Sequence, residues 1–152
     1  MSEYFQTIFD KFELQVRKEY RYTEDDLWVH VEDGKARIGV TDYLQRTSGD
    51  VAFIETARQG SRIQKKGELG TMETAKTTVT LYSPLSGQVT EVNRVLAQKP
   101  ELLNSAPYKE GWLVIITPYD LEGDAKSLLS AEDYYQLMLG KLRSGEGRLE
   151  SR

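Results

Sequence analysis

Gly70-Thr71-Met72-Glu73-Thr74-Ala75-Lys76-Thr77-Thr78-Val79-Thr80-Leu81-Tyr82-Ser83-Pro84 reads as two short strands meeting at a tight turn around Thr74 to Lys76. The downstream arm alternates, with Thr77, Val79 and Leu81 on one side and Thr78, Thr80 and Tyr82 on the other. It stops at Ser83-Pro84, because proline cannot donate to a strand ladder. The upstream arm begins after Gly67 and carries Leu69 and Met72. The turn lacks the Asn-Gly or Asp-Gly pair that two-residue hairpins favour, so turn chemistry alone does not account for its residues. A lysine at such a tip is held out in water.

Outward from the hairpin, short strands dominate. Leu27 to Val31 and Ala36 to Val40 flank an Asp33-Gly34 turn, a hairpin signal. Leu27, Val29 and Val31 share one face, and Trp28 and His30 the other. Thr41 is a natural N-cap for a short helix through Arg46. Further strands are expected at Val51 to Thr56, around Arg62-Ile63, at Gln88 to Val92, and at Gly111 to Ile116 in the core. Pro100 suits the first position of a helical turn through Leu103. Asp124 is expected to cap a turn before Leu128. Ser130-Ala131-Glu132-Asp133 resembles a capping box opening a last helix that Gly140 ends. At the other terminus Phe5, Ile8, Phe9, Phe12 and Val16 recur at helical spacing, opposite Asp10, Lys11, Glu13, Arg17 and Lys18. This predicts an amphipathic helix over residues 4–18, packed on the parent domain in preference to serving as a docking helix.

Bulk properties narrow the function. At 152 residues, 39% hydrophobic and 29% charged, the chain is one domain with a real core. A net charge of −4 without a basic block argues against a nucleic-acid partner. No apolar run reaches membrane-spanning length and the first residues form no signal-peptide core, so the expectation is a cytoplasmic protein with no membrane partner. There is no cysteine and one histidine, His30. Disulfides, protein thiol chemistry and histidine–cysteine triads are excluded, no metal-ligand spacing is present, and no phosphate-binding glycine loop is found. Any redox or sulfur chemistry must come from a bound group.

Glu73-Thr74-Ala75-Lys76 resembles the Glu-Ser-Val-Lys lipoylation motif of the glycine cleavage system H protein family. Gly60 and Gly87 flank Lys76 where lipoyl domains place glycines. Asp50 to Glu55, Leu81 to Gly87, Val40 to Gln45 and Asn104 to Leu113 match further segments in order and spacing. The Val-Met-Lys-Met type of motif found in biotin carriers is absent. The resemblance implies a mainly β, lipoyl-type flattened barrel-sandwich hybrid of two small antiparallel sheets with peripheral N- and C-terminal helices. The corresponding division is a helical extension over 1–20, a lipoyl domain over 21–140 and a mobile tail over 141–152. It implies a carrier rather than an enzyme, with lipoate covalently on Lys76 and with Glu73, Thr74 and Ala75 read by the lipoylation machinery. Dihydrolipoamide dehydrogenase is the implied partner that reoxidises the arm.

In this family the loaded arm folds into a cleft where acids hold an ammonium: the glutamate of a His-Glu-Trp motif, and an aspartate four residues after the lysine. Here those places are taken by Leu27, within Asp26-Leu27-Trp28, and by Thr80. Removing the partner of a buried charge costs about 3–5 kcal/mol. Asp25 and Asp26 are the neighbouring acids that could compensate. The resemblance therefore points first to the H-protein-like lipoate-binding proteins of sulfur oxidation, which work with a heterodisulfide-reductase-like complex and carry sulfur intermediates. The alternative is a glycine-cleavage H protein carrying an aminomethyl group between P- and T-proteins. A second alternative is an unmodified structural or regulatory domain.

Overall fold

In the computed structural model, which describes residues 2–145, β1 (Tyr4–Phe9) and β2 (Phe12–Arg17) form an antiparallel hairpin. The helix expected over residues 4–18 is therefore corrected to a strand pair. Phe12, Leu14 and Val16 alternate with Glu13, Gln15 and Arg17, which is strand spacing. Leu14 and Val16 are fully buried, and Asp10 closes the turn at a left-handed φ of 60°. The apolar spacing across the turn imitates a helical stripe, but burial against the rest of the chain selects the period of two.

The chain continues through β3 (Arg21–Tyr22), β4 (Leu27–Glu32), β5 (Lys35–Val40), α1 (Asp42–Ser48), β6 (Val51–Thr56) and β7 (Arg62–Ile63). Then follow β8 (Glu68–Thr74), β9 (Thr78–Tyr82), β10 (Gly87–Val92), a 3-10 turn (Arg94–Ala97) and α2 (Leu102–Ser105). Last come β11 (Val114–Pro118), α3 (Leu121–Ala125) and α4 (Ala131–Ser144). Besides the N-terminal hairpin there is a six-stranded sheet, ordered β3-β4-β5-β11-β10-β7, and a three-stranded sheet, ordered β6-β8-β9. All pairings are antiparallel.

The alternation along β4 decides the layering. Leu27 and Val29 enter a core with Ile38, Val40, Val89 and Ile116 of the large sheet and Val51, Leu69, Met72 and Leu81 of the small one. Trp28 points the other way, into a second, aromatic core with Leu14, Val16, Tyr20, Tyr22, Tyr108, Tyr134 and Met138. Its indole N–H donates to the Pro107 carbonyl at 2.9 Å, so the buried ring leaves no donor unpaired. The first core makes the sandwich. The second binds β1–β2 and α4 to its outer face.

The C-terminal helix differs from expectation. It runs through Gly140 to Ser144 and ends at Gly145, in the left-handed conformation suited to a helix stop. Tyr134, Met138 and Leu142 are buried on one face, and this tertiary contact overrides the cost of an interior glycine. Lys141 to Ser144 of the expected tail are thus helix; residues 146–152 lie outside the described residues. Ser130 caps α4 by accepting from Asp133 N–H, as read from the sequence. Asp120, rather than Asp124, caps α3; the Asp124 carboxylate instead accepts from Ser86 N–H at 2.8 Å.

Candidate functional site

The β8–β9 hairpin presents Ala75, Lys76 and Thr77 between paired Glu73 and Thr78. Thr74 builds the tip in place of an Asn-Gly pair. Its hydroxyl accepts from Lys76 N–H (3.3 Å) and Thr77 N–H (3.1 Å), while its own N–H donates to the Thr77 carbonyl at 2.8 Å. A side-chain oxygen is thereby substituted for backbone turn geometry. Glu73 and Ala75 are exposed, so the whole four-residue motif faces solvent on one side.

Lys76 is exposed, but its amine is not adrift. Nζ donates to the Thr47 carbonyl at 2.8 Å, in the last turn of α1, where carbonyls lack helical partners and the helix dipole is negative. Residue 47 was missed by sequence reasoning, since a backbone carbonyl leaves no mark in side-chain identity. The N-terminus of α1 is fixed by the Thr41 hydroxyl, which accepts from Leu44 N–H. Its far end is fixed by Asn104, which donates to Gln45 Oε1 and the Gly49 carbonyl and accepts from Val51 N–H at 2.8 Å. Val51 in turn pairs with Thr74. One buried amide network thus sets α1 against the strand that carries the lysine turn.

Gly60 and Gly87 lie off the lysine hairpin. Gly60 adopts a φ of +92° before β7, and its N–H donates to the Val89 carbonyl. A Cβ on Gly87 would sit 2.4 Å from both Ile116 Cγ2 and the Thr117 carbonyl oxygen, so β10 approaches β11 there only without a side chain.

The four cleft positions separate. Leu27 has no exposed surface and belongs to the sandwich core. Thr80 is half-buried, opposite Thr71, and shares the alternation of exposed Thr78 and Tyr82. Asp25 is exposed, with a carboxylate oxygen 3.7 Å from Lys66 Nζ. Asp26 is buried at a φ of 68° and is already engaged: Lys141 Nζ donates to its two oxygens at 3.1 and 3.2 Å, and Tyr134 O–H donates at 2.8 Å. Burial raises its pKa, with Lys141 and Tyr134 opposing that shift. Asp26 therefore stabilises the C-terminal helix rather than compensating for an acid missing at Leu27.

Two small sheets enclosing one core, with an exposed lysine on a tight hairpin, define a carrier domain of the lipoyl type. The comparisons agree. A family model described as "Glycine cleavage H-protein" matches residues 20–140. A glycine cleavage system H protein from Geobacillus sp. (strain WCH70) is 41% identical over 121 residues, 80% of this chain and 94% of that one. A probable glycine cleavage system H protein from Aeropyrum pernix is 40% identical over 121 residues, 80% of this chain and 84% of that one. The crystal structure of a glycine cleavage system H protein from Mycobacterium marinum superposes with a TM-score of 0.74 at 28% identity, covering 80% of this chain and 97% of that one. The chain belongs to the glycine cleavage H-protein family. It is a non-catalytic carrier of covalent lipoate, and the β1–β2 hairpin lies outside the matched residues.

Proposed function

We propose that this chain is the H component of a glycine cleavage system, a cytoplasmic carrier with lipoate amide-linked to Nζ of Lys76. In this role it moves an aminomethyl group between P- and T-proteins and is reoxidised by dihydrolipoamide dehydrogenase. The observation that carries the reading is the exposed Lys76 amine on a turn built by the Thr74 hydroxyl. An attaching enzyme reads Glu73, Thr74 and Ala75 in fixed geometry and meets an amine with open surface around it. Bound lipoate supplies a dithiol–disulfide couple at the end of a long arm. The chain's own part is to hold the root of that arm. Once acylated, Nζ keeps one N–H but loses its charge, so its attraction to the negative end of α1 weakens and the arm is released to swing.

The sulfur-carrier reading gives way to glycine cleavage as the main reading, because the named relatives are glycine-cleavage proteins. It stands second on one observation: where the family resemblance calls for two acids, Leu27 is sealed in the core and Thr80 is neutral. A heterodisulfide-reductase-like complex would then be the partner.

The test begins with intact mass. The wild-type chain exposed to lipoylation machinery gains one lipoyl group, and Lys76→Arg gains none while keeping its far-UV circular dichroism. Addition of a lipoyl group to the Lys76→Arg chain would overturn the assignment. The lipoylated chain is next given glycine, pyridoxal phosphate and a P-protein. An aminomethyl mass on the arm supports glycine cleavage. Its absence in wild type with recovery in Thr80→Asp favours the second reading. Thr80 is the position to change, since a charge at Leu27 would be placed in the apolar core.

A further inference from the structure

A cavity of about 540 Å³ opens on the outer face of the six-stranded sheet, away from the elements that carry Lys76. Arg37 of β5 and His30 of β4 are cross-strand neighbours on its floor. Tyr20 and Trp112 give it aromatic walls, and Arg17 and Lys109 add cationic side chains. Arg17 comes from the hairpin outside the family match, so part of the cavity is built by a segment the family model does not include.

Arg37 is the anomaly. Its half-buried guanidinium makes no ion pair among the described residues, and its Nε is buried without a hydrogen-bond partner. A buried unpaired donor is costly and rare in native proteins. The neighbouring carboxylates do not neutralise it. Glu19 is held by Arg17 at 2.7 Å, Glu32 is 3.6 Å from His30 and mostly exposed, and Glu110 is exposed at the rim. Arg46 also has a buried Nε without a partner, but its guanidinium lies 4.6 Å from the centroid of the Phe12 ring and borders none of the larger cavities. Arg37 alone combines the orphan donor with an open volume in front of it.

We infer that this cavity binds a small organic oxyanion, a carboxylate or phosphate whose two oxygens accept from Nε–H and the adjacent Nη–H of Arg37. The fork geometry of arginine suits such an anion, and a volume of this size admits a small molecule. Arg17 and Lys109 add long-range attraction. Tyr20, which lies 4.9 Å from His30 ring to ring, and Trp112 take the planar or apolar remainder.

The experiment is a titration of the full-length chain with inorganic phosphate and, separately, with benzoate, following the Arg37 Nε–Hε and Trp112 indole resonances. The expected result is a saturating shift with a Kd of about 1 mM or tighter for at least one probe. Saturation by phosphate alone assigns phosphates, by benzoate alone carboxylates, and by both the shared oxyanion chemistry. Arg37→Lys keeps the charge but loses the fork and weakens binding roughly tenfold. Arg46→Gln leaves it unchanged. Failure of both probes to saturate either resonance in the wild type, or equal affinity in Arg37→Lys, would overturn the inference.

Discussion

Asp26 places a carboxylate where burial opposes its charge, and Lys141 reaches from α4 to offset that cost. Tyr134 O–H also donates to it, and the Tyr134 oxygen is 2.9 Å from the Thr41 hydroxyl that caps α1. Because the folded pKa of Asp26 lies above its unfolded value of about 3.9, the protonated form is favoured by folding. Its contribution is present below the unfolded pKa and is lost as pH rises through the folded one. Lys141→Met strands the ionised carboxylate and should cost about 3 kcal/mol at neutral pH. The same variant should lose much less near pH ~4, where Asp26 takes up a proton. Urea unfolding at both pH values measures this, and an equal deficit at the two would refute the buried-pair account. At this scale the sequence was partly legible. The lysine and its motif could be read, and so could the departure at Leu27, because side-chain identity carries them. The Thr74 turn was also open to reading, since a threonine hydroxyl is a known substitute for turn geometry. The Thr47 carbonyl and the inward turn of Asp26 were not, because backbone groups and side-chain direction leave no compositional trace.

Elements were legible where a single period ruled. The strands of β4 and β5, the Thr41 cap and the Ser130 cap fell where alternation and capping chemistry placed them. The β1–β2 segment was read with the wrong period because Phe9 and Phe12 flank the turn and mimic a helical step. Leu14, fully buried, was the residue that did not fit the helical stripe and held the strand signal. Gly140 misled in the opposite direction, as a breaker in a helix that its neighbours' burial sustains. A Cβ at Gly140 meets nothing within 4 Å, and its φ is not positive. Gly140→Ala should therefore raise stability by about 0.5–1 kcal/mol, by restricting the unfolded chain and favouring helix. The thermal midpoint checks it. A lowered midpoint would mean that the glycine serves α4 in some way other than as a tolerated defect.

The whole molecule is organised by two cores on opposite sides of β4 and β5, one making the sandwich and the other attaching the terminal elements to it. The N-terminal hairpin is outside the span shared with the family, yet it is no loose appendage. Gln15 N–H donates to Asp42 Oδ2 of α1, Tyr108 O–H to the Gln15 carbonyl, and Tyr135 O–H to the Gln6 carbonyl; Phe5 stacks on Tyr135 at 5.1 Å. Leu14 and Val16 share the second core with Trp28, itself stacked on Tyr20 at 4.5 Å. If the hairpin were an independent arm, truncating its buried side chain would cost little and would affect only a local, early transition. Integration into the core requires otherwise. Leu14→Ala should cost about 2–5 kcal/mol, the range for cavity-forming leucine truncations. Unfolding should remain a single transition in which Trp28 fluorescence and far-UV circular dichroism coincide. Separate transitions by the two probes, or a cost below about 1 kcal/mol, would show the hairpin to be a detachable module. A single costly transition would instead mean that the extension and the carrier domain fold as one body, with the Arg17 wall of the anion cavity held as rigidly as the sheet beneath it.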